Sequence, residues 1–144
     1  MTALHPLAPA LSHPSPQRAE VSATRLVAGA LISPLGYGAQ VIVSYVIGAV
    51  GCAQGRAPWA QLLAVNLAAL VAILGGLAIS LGNFRRTRGE AGGDHARAQD
   101  RGDGRTRFLA YCGLCSGGIF ALATLIQLTA VLVLDRCIGA PALG

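Results

Sequence analysis

The segment Cys112-Gly-Leu-Cys115 has residue types and a spacing that suggest chemistry. Thiols three residues apart lie on neighbouring faces of one helical turn, where they can react with each other or bind a soft metal such as Cu(I). A thioredoxin-like motif needs its own α/β scaffold, and a structural zinc site needs further Cys or His ligands that this segment lacks. We therefore interpret Cys112 and Cys115 as structural cysteines at a helix contact, with a soft-metal or thiol-redox site as the alternative.

The rest of the sequence predicts no enzyme and no cofactor. The three histidines lie outside the apolar segments and Met1 is the only methionine, so the usual axial ligands of a membrane haem are missing. The apolar segments carry no ionisable side chain for proton transfer or ion coupling. Because the chain also lacks a P-loop, a nucleophile elbow and a zinc-protease motif, we expect neither a self-contained transporter nor a hydrolase.

Three amide side chains, Gln40, Asn66 and Gln127, occur within apolar segments. Counted from the segment ends at ~1.5 Å per residue, Asn66 and Gln127 lie at a similar depth and are able to bond each other. The same count places Gln40 nearer the level of Cys112 and Cys115. Such side chains either form hydrogen bonds between helices or line a polar path through the membrane, and we favour the hydrogen bonds.

The composition indicates which elements must position these residues. Hydrophobic residues make up 53% of the 144-residue chain and charged residues only 12%. Positions 26–55, 57–84 and 108–134 contain no charged residue and no His, and each run exceeds the ~20 residues that a helix needs to cross a bilayer. None alternates apolar with polar residues as a barrel strand would. The sequence therefore predicts an all-α integral membrane protein with three transmembrane helices.

Helix-end signals place the three spans at about 34–53, 58–82 and 108–134. Ser33-Pro34 has the form of an N-cap followed by a first helical residue, Pro58-Trp59 opens the second span, and Gly82-Asn83 closes it. The apolar stretch 26–32 either extends the first helix through Pro34 or lies at the membrane interface, and we favour the interface.

The remaining segments are too polar or too rich in proline to bury a core. Residues 1–25 are predicted to form a disordered cytoplasmic tail and residues 85–107 a cytoplasmic loop. The transmembrane domain then covers 26–137, and a short periplasmic tail covers 138–144. The loop carries seven arginines, but four acidic residues offset them and no aromatic residue interleaves them. We therefore expect lipid headgroups, not nucleic acid, to contact the loop.

The distribution of arginine sets the predicted orientation. With three spans, the N-terminal tail and the 85–107 loop share one side and carry nine of the 11 arginines, whereas Arg56 and Arg136 lie on the other. By the positive-inside rule the N-terminus is cytoplasmic and the C-terminus periplasmic. All basic residues are Arg and none is Lys, a composition typical of a GC-rich bacterial gene. The predicted location is the bacterial inner membrane.

This topology also separates the four cysteines into two pairs. Cys52 ends the first span and Cys137 follows the third, so both lie on the predicted periplasmic side. Because that compartment is oxidising and the cytoplasm is reducing, we expect a disulfide between Cys52 and Cys137 and free thiols at Cys112 and Cys115. Two unrelated apolar cysteines are the alternative.

Small side chains recur at four-residue spacing in the spans. The second span contains a stripe of six such residues, and the third offers Gly113, Gly117 and Ala121. This small-xxx-small pattern is typical of helices that approach closely in lipid, although a composition rich in Ala and Gly also produces it. The predicted packing stripe of the second span comprises Ala60, Ala64, Ala68, Ala72, Gly76 and Ser80.

Several short patterns together resemble a known family. They are Pro34-x-x-Tyr37-x-x-Gln40, the span end at Cys52, Val65-Asn66-Leu67-Ala68-Ala69, and Gly104-Arg105-Thr106-Arg107-Phe108-Leu109 leading to Cys137. Across residues 30–137 the chain resembles the small three-span membrane proteins encoded beside cytochrome c oxidase genes in proteobacteria. The resemblance implies an accessory association with a terminal oxidase. It implies no role for Cys112 and Cys115, which are not a feature of that family.

These observations predict a non-catalytic accessory or assembly protein of a membrane complex, with the lipid bilayer and respiratory oxidase subunits as its expected partners. One alternative is a soft-metal or thiol-redox protein that uses Cys112 and Cys115. A third hypothesis is a homo-oligomeric pore lined by Gln40 and Gln127.

Overall fold

The structure, a computed structural model, describes residues 21–90 and 104–133, and this part of the chain is helical throughout its regular structure. Helix α1 spans Ala23–Ala53, α2 spans Trp59–Arg86, and α3 spans Arg105–Val133. A short 3-10 helix, Thr87–Gly89, extends α2. The prediction of an all-α chain with three helices long and apolar enough to cross a membrane is confirmed.

Each of the three helices packs against the other two. A tight connection after Ala53 reverses the chain between α1 and α2, and Gly55 in it has a φ of +65°, a conformation that favours glycine. Gly104, with a φ of +80°, directly precedes α3. We call the end of the bundle that carries Gln54–Pro58 the loop end and the opposite end the Glu90 end.

Helix α1 begins at Ala23, so the interfacial interpretation of residues 26–32 is wrong. The N-cap is Ser22, whose Oγ accepts a hydrogen bond from the Arg25 backbone N–H at 3.4 Å. The helix continues through Pro34, and the Ser33 hydroxyl caps nothing, because it donates to the carbonyl of Ile73 in α2 at 3.3 Å. Pro34 cannot donate a backbone hydrogen bond to the Ala30 carbonyl, yet the helix runs on through it, as membrane helices commonly do at proline.

Helix α2 does not end at Gly82 as the sequence suggested, but continues to Arg86. Asn83, expected to stop the helix, is buried and donates through Nδ2 to the carbonyl of Arg25 at 3.1 Å. This contact with α1 holds the last turn in helical conformation. Helix α3 begins at Arg105, three residues before the predicted boundary. In its first turn the Arg107 N–H donates to Glu90 Oε2 at 2.7 Å.

Several predictions fall on segments beyond the described ranges. These include residues 1–20 of the predicted tail, positions 91–103 of the loop, the 138–144 tail and Cys137. Residues 23–25, assigned to the tail from the sequence, belong to α1. The orientation of the bundle stays a prediction.

Candidate functional site

The helices meet most closely where serine and glycine face each other near the Glu90 end. The Ser80 Oγ donates to the carbonyl of Gly29 at 2.8 Å. A Cβ atom added at Gly29 would lie 2.7 Å from Ser80 Oγ, and one added at Gly113 would lie 2.6 Å from the same oxygen. The contact therefore joins all three helices and has no room for a methyl group on either glycine.

A second contact of the same kind lies further along the bundle. A Cβ atom at Gly76 would lie 2.8 Å from Ser33 Oγ, and one at Gly117 would lie 3.3 Å from that oxygen and 2.9 Å from Leu77 Cδ1. Ser33 thus occupies the same position in this second layer as Ser80 in the first, with its hydroxyl packed against two glycines of the other helices. Together the two layers fix the separation of the helices over the half of the bundle nearest Glu90.

The predicted packing stripe of α2 takes part in these contacts only at its C-terminal end. Gly76 and Ser80 are buried, whereas Ala60, Ala64, Ala68 and Ala72 are exposed. Four residues advance a helix by about 400°, so a four-residue repeat turns about 40° per step and leaves the contact face. The buried face follows alternating three- and four-residue steps and consists of Asn66, Ala69, Ile73, Gly76, Ser80 and Asn83.

On α3, both glycines predicted to pack lie on the buried face, together with Ala121. The full face consists of Thr106, Ala110, Gly113, Gly117, Ala121 and Thr124, with the same mixed spacing. Small side chains fill nearly all of it. The bulky apolar residues of α3, such as Ile119 and Leu122, are exposed by contrast.

The three intramembrane amides form one hydrogen-bonded cluster, which we call the amide layer. Gln40 Nε2 donates to Asn66 Oδ1 at 2.8 Å and to Gln127 Oε1 at 2.7 Å. Asn66 Nδ2 in turn donates to the carbonyl of Leu62 at 2.8 Å. Gln40 is 3% exposed and Asn66 1% exposed, so the layer ties all three helices together inside the bundle.

The sequence placed Gln40 at the wrong depth. It was assigned to the level of Cys112 and Cys115, but it lies with Asn66 and Gln127. The error follows from the helix boundary: because α1 begins at Ala23 instead of near Pro34, Gln40 lies past the middle of the helix. The preferred interpretation of the amides, hydrogen bonding between helices, agrees with the observed contacts.

Two buried polar atoms on one face of α1 have no hydrogen-bond partner. They are Gln40 Oε1 and Ser44 Oγ, one helical turn apart. An unsatisfied buried group costs roughly 1–3 kcal/mol. The amide layer and the neighbouring Ser44 hydroxyl therefore have hydrogen-bonding capacity that their contacts leave unused, as does Asn83 Oδ1 near the Glu90 end.

A cluster at the Glu90 end was not predicted from the sequence. Glu90 is 5% exposed and accepts from the third residue of α3, where a carboxylate also interacts favourably with the helix dipole. The Arg107 guanidinium carbon lies 5.5 Å from the centroid of the Phe84 ring, which itself lies 6.0 Å from the Tyr111 ring. The sequence carries no local signal for this contact, because Glu90 lies 17 residues before Arg107 and three other acidic residues are nearer to it.

The remaining site candidates are the cysteines. Cys112 and Cys115 are free and exposed on the outer surface of α3, so they are not at a helix contact within the chain, contrary to our interpretation. Among the described residues, no group of three or more His, Cys, Asp or Glu side chains is arranged to hold a metal ion. Cys52 lies in the last turn of α1. Because Cys137 is outside the described residues, the Cys52–Cys137 pairing remains a prediction.

No family model, curated protein or solved structure matches the chain. The resemblance to the oxidase-linked three-span proteins therefore stays an expectation. What the chain does must be inferred from its own residues.

Proposed function

We propose that this protein is a non-catalytic accessory or assembly subunit of a larger complex in the bacterial inner membrane, with a terminal cytochrome oxidase as the candidate partner. The observation that carries the proposal is the outward position of the alanines at the N-terminal end of the α2 stripe. Ala60, Ala64 and Ala68 are exposed, while the chain's own helix contacts are made by other faces. At four-residue spacing these three small side chains spread over about 80° of the outer helix surface. A patch of this kind suits close approach by a helix of another protein.

The interior supports a structural role. Several buried hydroxyl and amide groups in the bundle bond backbone carbonyls or each other, as in Ser80 to Gly29 and Gln40 to Asn66. Gln40 is buried within its own bundle, so a pore between copies would not be lined by it. Both features favour a helix bundle that supports a neighbour over one that conducts or converts a substrate.

Orientation and redox chemistry complete the proposal. The nine-to-two distribution of arginine supports a cytoplasmic N-terminus. In that orientation the loop end faces the periplasm, where Cys52 and Cys137 form a disulfide and hold the end of α1 to the segment after α3.

The test is co-purification from native membranes with matched variants. Wild type, Ala68→Leu and the control variant Ala39→Leu receive the same tag. Ala39 is a matched control because it is exposed like Ala68 and also lies close in sequence to an amide-layer residue, but belongs to α1 and not to the alanine stripe. We expect wild type and Ala39→Leu to retain other membrane subunits and Ala68→Leu to lose them. Equal recovery with both variants, or recovery of the tagged chain alone, would refute a partner helix on the alanine stripe.

A second candidate function rests on the exposed thiols of Cys112 and Cys115. Since both are accessible on one turn of α3, a soft metal bound there would take further ligands from another molecule. The double variant Cys112→Ser/Cys115→Ser would then lose Cu(I) binding but keep its partners. If the wild-type protein in native membranes, with its partners present, binds no Cu(I), this candidate fails.

A further inference from the structure

A groove of about 630 Å³ opens on the bundle at the loop end, between the last turns of α1 and the first turn of α2. Its apolar part is lined by Val46, Ile47 and Val50 of α1. Val46 and Val50 are each about half exposed, at 52% and 51%. These three side chains therefore form an apolar surface that extends along α1 to the connection between α1 and α2.

The other end of the groove is polar. Gln54 and Arg56 of the connection and Gln61 of α2 line it, and all three are exposed. Within the described part of the chain, Glu90 is the only acidic residue, and it lies at the opposite end of the bundle. The guanidinium of Arg56 therefore faces no carboxylate from the described residues.

Close packing beneath the groove holds its two walls in place. A Cβ atom at Gly51 would lie 2.6 Å from Pro58 Cγ, so α1 and the residue before α2 are in direct contact. Ala57 and Ala60 line the groove with short side chains and leave its volume open. The groove is thus formed by the tight turn between α1 and α2.

We propose that this groove binds one anionic phospholipid, with the phosphate at Arg56 and an acyl chain along Val46, Ile47 and Val50. The membrane-length helices end at Ala53 and begin again at Trp59, so Arg56 lies at headgroup level. Trp59 lines the groove at that boundary, the depth at which tryptophan is enriched in membrane proteins. The amides of Gln54 and Gln61 supply N–H donors for phosphate oxygens beside the cation.

The joined apolar and polar parts select a lipid over a soluble anion. A free phosphate would use only the Arg56 end and leave the valine-lined part in contact with other lipid. A zwitterionic lipid would fill the apolar part but place its ammonium group near the guanidinium. An anionic headgroup on an acyl chain satisfies both ends.

The sole tryptophan of the chain, Trp59, makes the test direct. The protein is reconstituted in phosphatidylcholine vesicles with increasing fractions of either brominated phosphatidylglycerol or brominated phosphatidylcholine, and quenching of Trp59 fluorescence is measured. We expect brominated phosphatidylglycerol to quench at a concentration about three to five times lower, the size of effect expected for one basic residue at an anionic surface. Arg56→Gln should remove this preference and Arg56→Lys should keep it.

Arg85→Gln is the matched control, because Arg85 is an exposed arginine at the other end of α2. It should leave the preference unchanged. Equal quenching by the two lipids, or an equal loss with Arg85→Gln and Arg56→Gln, would overturn the proposal. So would competition by soluble glycerol phosphate, which would show that the headgroup chemistry alone is bound.

Discussion

Adding one methyl group at Gly113 is the perturbation that tests most directly how the bundle is held together. The new Cβ atom of Gly113→Ala would lie 2.6 Å from Ser80 Oγ and 3.3 Å from the Gly29 carbonyl oxygen. Ser80 must then move, and it donates its only observed hydrogen bond to that carbonyl. The matched control is Gly118→Ala on the same helix, where a Cβ atom would have nothing within 4 Å.

The expected magnitude follows from these two environments. Overpacking costs about 1–3 kcal/mol, and loss of an interhelical hydrogen bond adds about 0.6–1.7 kcal/mol. The higher helix propensity of alanine offsets up to about 1 kcal/mol at either position. We therefore expect Gly113→Ala to lower the free energy of unfolding by about 1–4 kcal/mol, and Gly118→Ala to leave it unchanged or raise it slightly.

The assay is reversible unfolding in mixed micelles with increasing SDS, followed by circular dichroism. A double-mutant cycle with Ser80→Ala adds a second test, because removing the hydroxyl makes room for the new methyl group. The coupling between Ser80→Ala and Gly113→Ala should be about 0.5–3 kcal/mol in favour of the double variant. Equal unfolding free energies for Gly113→Ala and Gly118→Ala would refute the close contact.

Three further predictions concern the amide layer, the cysteines and the orientation. Gln40→Leu leaves Asn66 Oδ1 and Gln127 Oε1 without their donor, so it should lower the free energy of unfolding by about 1–3 kcal/mol. Gln61→Leu removes an exposed amide and should leave that free energy unchanged. Equal effects of the two substitutions would contradict the amide layer. Mass spectrometry of non-reduced peptides from native membranes should find Cys52 joined to Cys137, and alkylation of both without reduction would show that the pairing is wrong. A periplasmic reporter fused after Gly144 should be active and one inserted at Gly93 inactive; the reverse pattern would exclude a cytoplasmic N-terminus.

The three helices were predictable from the sequence because uncharged runs longer than a bilayer leave the chain little choice. Their ends were harder to place, because caps in a membrane protein compete with contacts between helices. Ser33 and Asn83 have residue types that favour helix ends, yet each donates to a carbonyl of a neighbouring helix instead. Rules based on local sequence take no account of hydrogen bonds to a neighbouring helix, so they missed the start of α1 at Ala23.

The amide layer shows how an error in one predicted helix boundary, the start of α1, misplaced one residue of the site. Asn66 and Gln127 were placed at one depth because the predicted ends of their helices were within a few residues of the observed ones. Gln40 was separated from them only because its helix was taken to start near Pro34. The stripe on α2 failed differently: a spacing of four was read as one face, although only a mixture of three and four stays on one side of a helix.

The pattern of burial explains why small and polar residues determine this fold. In the described part of the chain, the buried hydrophobic side chains are few, and Ile73 and Val21 are the only large ones. The exposed positions carry the Leu, Ile, Val and Phe residues that a soluble protein would bury. Lipid solvates those side chains as well as a protein interior does, so burying them would bring little free energy. Specificity must then come from groups that lipid cannot satisfy. These are the serine hydroxyls that bond across the helices where glycine lets the backbones meet, and the amides that bond across them in the amide layer.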